Sequence, residues 1–214
     1  MRLVDNIFNS MLGKGKTDIY TLYDYLESDG NGQYIDTGVI VGGDCSIEID
    51  ALWLGKISGN YADWIAGARN ANNNNEYTMR AQDRTFKLRY YSDIASYNSI
   101  TYQHYYSYQR HRNDITIYDG DTVVHHVTPA LRTSASSYNH CLFGINIAGD
   151  ITTSPYQKRI GVVRIYDSNG VLVRDFRPAV RNSDGVAGMH DVVNDVFYTN
   201  ANPAGDNFLY GNLT

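Results

Sequence analysis

The stretch RIYDSNGVLVRDFRPAVRNSDGVAGMHDVVNDVFYTN, from Arg164 to Asn200, decides how the rest of the chain is read. Val162-Val163-Arg164-Ile165-Tyr166 and Val171-Leu172-Val173-Arg174 are rich in β-branched residues and flank Asn169-Gly170. That pair tolerates the positive φ a tight hairpin needs. Another hairpin is predicted around Asn194-Asp195, between Val192-Val193 and Val196-Phe197-Tyr198. Between the two, Arg174 and Asp175 can pair with each other or cap a chain reversal. Pro178, which has no N–H to give, is expected to end its strand. Ser183-Asp184-Gly185 supplies turn chemistry. The stretch reads as the closure of an antiparallel sheet, with a structural role rather than a ligand site.

The same period of two extends upstream. In Ser46-Ile47-Glu48-Ile49-Asp50-Ala51-Leu52-Trp53, the residues Ile47, Ile49, Ala51 and Trp53 share one face, and Ser46, Glu48 and Asp50 the other. Thr85-Phe86-Lys87-Leu88-Arg89-Tyr90 repeats the alternation. Ile115-Thr116-Ile117-Tyr118 and Thr122-Val123-Val124-His125 flank Asp119-Gly120-Asp121, a further hairpin. Nineteen tyrosines, 19 glycines and only four prolines fit many short strands joined by tight turns. The expected fold is all-β, an antiparallel two-sheet sandwich of jelly-roll type. Asn70 to Asn75 reads as a surface loop between strands, or as a loop that touches a ligand.

The chain divides at about residue 20. Leu3, Val4, Ile7, Phe8, Met11 and Leu12 recur at spacings of three and four, the pattern of one helical face. Gly13-Lys14-Gly15-Lys16 then forms a hinge. Residues 1–20 are therefore a short helical or extended arm, packed on its own domain or anchoring in another subunit, and residues 21–214 form one sandwich. A net charge of −5, with 18 Lys and Arg against 23 acids, argues against a nucleic-acid surface; Arg110-His111-Arg112 reads as the flank of a strand. No apolar run approaches the ~20 residues of a membrane span. Asp5, Asn6 and Asn9 break up what a secretory signal would keep apolar, so general secretion is not expected. Cys45 and Cys141 fit two buried thiols in a reducing compartment better than a disulfide.

Several motifs together resemble a known family. Leu26-Glu27-Ser28 with Gln33-Tyr34-Ile35-Asp36-Thr37-Gly38 resembles the opening strand of concanavalin A-like (LamG-like) jelly-roll domains. These occur in phages and prophages of gut bacteria and in bacterial surface proteins. Gly67-Ala68-Arg69-Asn70 and Leu142-Phe143-Gly144-Ile145-Asn146 are similar to its second and third landmarks. Arg164-Ile165-Tyr166-Asp167, Arg174-Asp175-Phe176-Arg177-Pro178, Ser183 to Asp191 and Phe197-Tyr198-Thr199-Asn200 follow in the family's order, so the resemblance covers about residues 25 to 205. Departures are Ala179 where the family often has cysteine, His190 where it usually has tyrosine, and an altered final glycine-rich turn. The resemblance implies a non-enzymatic virion protein: a capsid decoration, head fibre or tail-associated subunit assembled in the host cytoplasm. Its expected partners are other virion proteins, bound through the N-terminal segment, further copies of itself, and host or mucosal glycans. A stand-alone carbohydrate-binding module and a glycoside hydrolase are the alternatives.

The hydrolase alternative can be weighed on residues. Retaining glycosidases of this fold carry a strand that resembles Glu, an aliphatic residue, Asp, any residue, then Glu. Glu48-Ile49-Asp50-Ala51 matches the first half, but Leu52 and Trp53 cannot supply the second carboxylate that should stand about 5 Å from the first. Catalysis is not expected. His125 and His126 are neighbours on a strand and face opposite ways, and His104 and His111 have no zinc spacing. No metal site is expected, although LamG-like relatives sometimes hold calcium between loops and Asp119-Gly120-Asp121 and Asp167-Ser168-Asn169-Gly170 lack the distant Glu of a calcium loop. The remaining candidate is the tyrosine-rich run with Tyr90, Tyr91, Tyr97, Tyr102, His104, Tyr105, Tyr106 and Tyr108. Tyr102, His104, Tyr105, Tyr106 and Tyr108 could stack on sugar rings, or the same aromatics could fill a core or a subunit interface.

Overall fold

The computed structural model describes residues 19–55, 62–71, 76–82, 84–90, 92–131 and 133–213. Leu3, Val4, Ile7, Phe8, Met11 and Leu12, and with them the expected helical or extended arm, lie outside these residues, as do Tyr91 and residues 72–75 of the asparagine-rich loop.

Among the described residues every regular element is a strand. In chain order they are β1 (Tyr20–Leu22), β2 (Tyr25–Ser28), β3 (Ile35–Asp36), β4 (Ser46–Trp53), β5 (Asp63–Arg69), β6 (Tyr77–Gln82) and β7 (Thr85–Tyr90). Then come β8 (Ser92–Tyr97), β9 (Tyr106–His111), β10 (Asp114–Asp119), β11 (Thr122–Val127), β12 (Cys141–Leu142) and β13 (Gly144–Ile147). The last are β14 (Asp150–Thr153), β15 (Lys158–Tyr166), β16 (Leu172–Arg181), β17 (Val186–Asp191), β18 (Val196–Tyr198) and β19 (Leu209–Gly211). β1 takes in Tyr20, so the sandwich starts slightly before the boundary expected at residue 21.

The larger sheet runs β11-β10-β9-β4-β15-β16-β17-β18, with β2 added beside β15, β19 beside β2 and β1 beside β16. The smaller runs β14-β13-β5-β6-β7-β8, with β12 beside β5 and β3 beside β12. All pairs are antiparallel except β13 with β5. That exception follows from a kink. β12 runs antiparallel to β5, then Phe143 adopts φ 65° and donates its N–H to Ile65, and the chain turns to lie parallel to the end of β5.

Expected and observed patterns agree where one face of a strand is wet. In β4, Ile47, Ile49, Ala51 and Trp53 are buried while Glu48 and Asp50 lie on the partly exposed face. Phe86 and Leu88 are buried in β7. The hairpin tips also agree: Gly120, Gly170 and Asp195 all have positive φ, between 57° and 80°. The two sheets close over one apolar core, where Phe86 of the smaller sheet stacks on Tyr108 of the larger at 4.1 Å and Trp53 meets the same ring edge-on. Burying side chains of this size stabilises by roughly 1.5–3 kcal/mol each.

Two expectations change. Pro178 does not end its strand; it sits inside β16, paired with Met189 of β17. On its other side β16 exchanges one neighbour for another there. β15 pairs up to Phe176, β1 pairs from Ala179, and Tyr23 donates to the Pro178 carbonyl in the gap. The missing N–H therefore points where no ladder partner asks for it. Arg174 and Asp175 do not pair with each other either. Neighbouring strand residues point to opposite faces, so Arg174 reaches Asp191 at 3.5 Å, and Asp175 joins Arg177 at 2.8 Å and Arg164 at 3.7 Å.

Candidate functional site

The tyrosine-rich run divides once it is folded. Tyr106 and Tyr108 alternate with Ser107 on β9, so both rings point into the sandwich, at 4% and 1% exposure. Of the two roles open to them in the sequence, core and sugar platform, these two rings take the core. Tyr106 also accepts the N–H of Thr101 at 3.1 Å through its hydroxyl. Tyr102 is half-buried against the core and accepts from the Arg84 N–H. Tyr105 is half-buried; burial first, then Tyr25, Asp24 and Asp50, push its hydroxyl well above the usual tyrosine range, against the opposing pull of Arg159. His104 alone of the five is exposed, with Nε2 2.7 Å from Asp119.

The outward face of the larger sheet carries a row of charges that crosses four strands. Glu48 of β4 meets His111 of β9 at 3.3 Å and Arg164 of β15 at 3.4 Å, and Arg164 continues to Asp175 of β16. Burial disfavours the charged Arg164, but Asp175 and Glu48 outweigh it and raise its pKa. Both oxygens of Glu48 are thus engaged, one by the His111 imidazole and one by the Arg164 guanidinium, while Leu52 and Trp53 are buried and apolar. A glycosidase nucleophile needs a protonated partner carboxyl across the scissile bond. The positions that would supply one hold core side chains.

At one end of the sandwich the row borders a cleft of about 340 Å³. Val39 and Ile40 from the loop after β3, with Ile165 of β15 and Val173 of β16, form its apolar lining. Asn139 and Tyr166 add polar groups, and among the described residues neither side chain hydrogen-bonds to another. Burial, then the negative charge of Glu48, raises the pKa of the Tyr166 hydroxyl, which stays a neutral donor. Asp167 lies at the rim but is spoken for, since its Oδ1 accepts from the N–H groups of Asn169 and Val171 at the hairpin tip. An apolar wall with a neutral amide and a phenol suits an uncharged polyhydroxylated ligand. Ile165, Tyr166, Asp167 and Val173 come from the hairpin that the sequence marks out, whereas Val39, Ile40 and Asn139 come from distant loops that no motif connects to it.

Cys45 faces this cleft and Cys141 is buried, and the two are not bonded to each other. Burial pushes the Cys141 thiol up to about 12, with Asp36 adding to it, and burial also raises Cys45. Both are protonated thiols near neutral pH. Among the described residues no group of three or more His, Cys, Asp or Glu is placed to hold a metal ion, and no helix is long and apolar enough to cross a membrane.

Fold and cleft define a class: an all-β, two-sheet sandwich with a small recess at one end of its layers. A scan against protein-family models finds no match, and a search of curated proteins finds none.

Proposed function

We propose that this chain is a non-catalytic, LamG-like jelly-roll domain of a phage virion, a capsid decoration, head fibre or tail-associated subunit, that holds glycan in the cleft beside Tyr166. The observation that carries the glycan part is the pairing of an apolar wall, Val39, Ile165 and Val173, with the uncommitted polar groups of Asn139 and Tyr166. Sugars present apolar C–H faces edged by hydroxyls, which such a surface matches without desolvating a charge. Support for the virion part comes from the order of the sequence landmarks between residues 25 and 205. The apolar positions from Leu3 to Leu12 are the proposed attachment to other virion proteins or to further copies of the chain.

A glycan array probed with the full chain tests the first part. Binding that falls at least tenfold in Tyr166→Ala and Asn139→Ala is expected, with His104→Ala unchanged. Binding that survives both changes removes the cleft from the reading, and no binding by the wild type removes the glycan. Co-sedimentation with particles tests the second part: deleting residues 1–16 should abolish it, and undiminished incorporation refutes the anchor.

A further inference from the structure

Asp63 opens β5 of the smaller sheet and Lys158 opens β15 of the larger, and their side chains meet in the interior at 0% and 1% exposure. Nζ of Lys158 donates to Oδ1 of Asp63 and, at 3.1 Å, to Oγ of Ser154. Ser154 in turn donates to the same Asp63 oxygen. In the sheets Lys158 lies between Trp53 of β4 and Ser28 of β2, while Asp63 lies against Ala81 of β6, all of them buried.

As an ion pair this arrangement is under-satisfied. Oδ2 of Asp63 has no hydrogen-bond partner, and the ammonium finds two acceptors for its three donors. A desolvated pair is repaid only where the remaining lone pairs and protons are met. Here they are not: the pair is cut off from water at 0% and 1% exposure, and Oδ2 of Asp63 stays unmet. The geometry holds the Lys158 nitrogen against the Asp63 carboxyl group, a nucleophile beside its electrophile, fixed by two sheets.

We propose that Lys158 and Asp63 condense into an isopeptide bond that joins the two sheets. This proposal is independent of the glycan reading. In the step, Nζ first gives one proton to the carboxylate; its freed lone pair then attacks Cγ of Asp63 and the Nζ–Cγ bond forms. The bond from Cγ to one carboxyl oxygen breaks, and that oxygen leaves as water with the proton gained by the acid and a second one lost by Nζ. Ammonium plus carboxylate becomes amide plus water, with charge balanced and nothing oxidised or reduced. Ser154 is the positioning residue. Its hydroxyl polarises the carboxyl by donating to Oδ1, and it lies against Nζ, where it can pass the second proton to the leaving oxygen. The amide replaces two buried charges with one donor and one acceptor, and it ties residues 95 positions apart. A crosslink of that span restricts the unfolded chain much as a disulfide does.

Intact mass of the denatured full chain decides the matter. The expected value is lower than the sequence mass by one water, about 18 Da, as a covalent modification requires. Peptide mapping should recover a branched peptide that contains both Asp63 and Lys158. Lys158→Arg and Asp63→Ala should return the unmodified mass, and Ser154→Ala should lower the linked fraction severalfold. Folded wild-type protein at its full sequence mass overturns the proposal, as does a water loss that mapping places elsewhere, such as a succinimide. The wild-type measurement suffices even where a variant does not fold.

Discussion

His140 packs edge-on against Tyr77 at 5.0 Å, and the guanidinium of Arg110 sits over the Tyr77 ring at 4.7 Å. All three residues are buried. Burial holds the imidazole pKa down to about 3; a contact with the Tyr77 backbone opposes the shift and Arg110 adds to it. The unfolded chain binds a proton near pH 6.5 that the native chain refuses, so this site's contribution is complete above that pH. It is lost as pH falls from about 6.5 towards 3, and amounts to a few kcal/mol at most. Urea titrations across that window should show wild-type stability falling with acid, and His140→Phe should flatten the slope. An unchanged slope in the variant would assign acid sensitivity to other groups.

Asp191 shows how one side chain secures two strands and the turn that follows them. It is fully buried at the end of β17 and accepts from the N–H groups of Asp175 and Val193 and from the Asn194 carboxamide, with Arg174 beyond. Asp191→Ala leaves those donors unpaired in the interior, and a loss of about 3 kcal/mol by chemical denaturation is expected. Much at this scale was legible in the sequence, because Asn169-Gly170, Asp119-Gly120 and Asn194-Asp195 carry the φ preferences of their hairpins, and β4 and β7 have one wet face. Tyr106-Ser107-Tyr108 alternates as a strand with both rings on one face, but the alternation does not say whether that face is core, interface or sugar platform; packing against Phe86 and Trp53 makes it core. Pro178 looks like a strand end because a proline is excluded from a ladder only where its N–H would be used, and the exchange of β15 for β1 depends on pairing Leu22 with Ala179, from opposite ends of the sequence. The cleft was hidden for the same reason. Val39, Asn139, Tyr166 and Val173 become neighbours only when the sheets are assembled.

Across the whole molecule, stability rests on the contact between sheets rather than on the exposed end of the tyrosine run. Tyr108, with Phe86 on one side and Trp53 on the other, joins the layers. Tyr108→Ala should cost about 3–5 kcal/mol as an unfilled cavity, while His104→Ala should stay within about 0.5 kcal/mol. Equal effects in thermal melts would contradict the division between core and surface. The larger sheet has a further consequence in time. β4 lies between β9 and β15, and β2 between β15 and β19, so the strands made early must wait for partners made late. During synthesis their unpaired edges and apolar faces stay open until residues up to Tyr166, and finally Gly211, have left the ribosome. Such non-local topologies fold in roughly milliseconds to seconds rather than microseconds, and their nascent forms are prone to edge-to-edge association. Until β19 docks beside β2, the growing chain therefore keeps an open edge that a second copy can pair with.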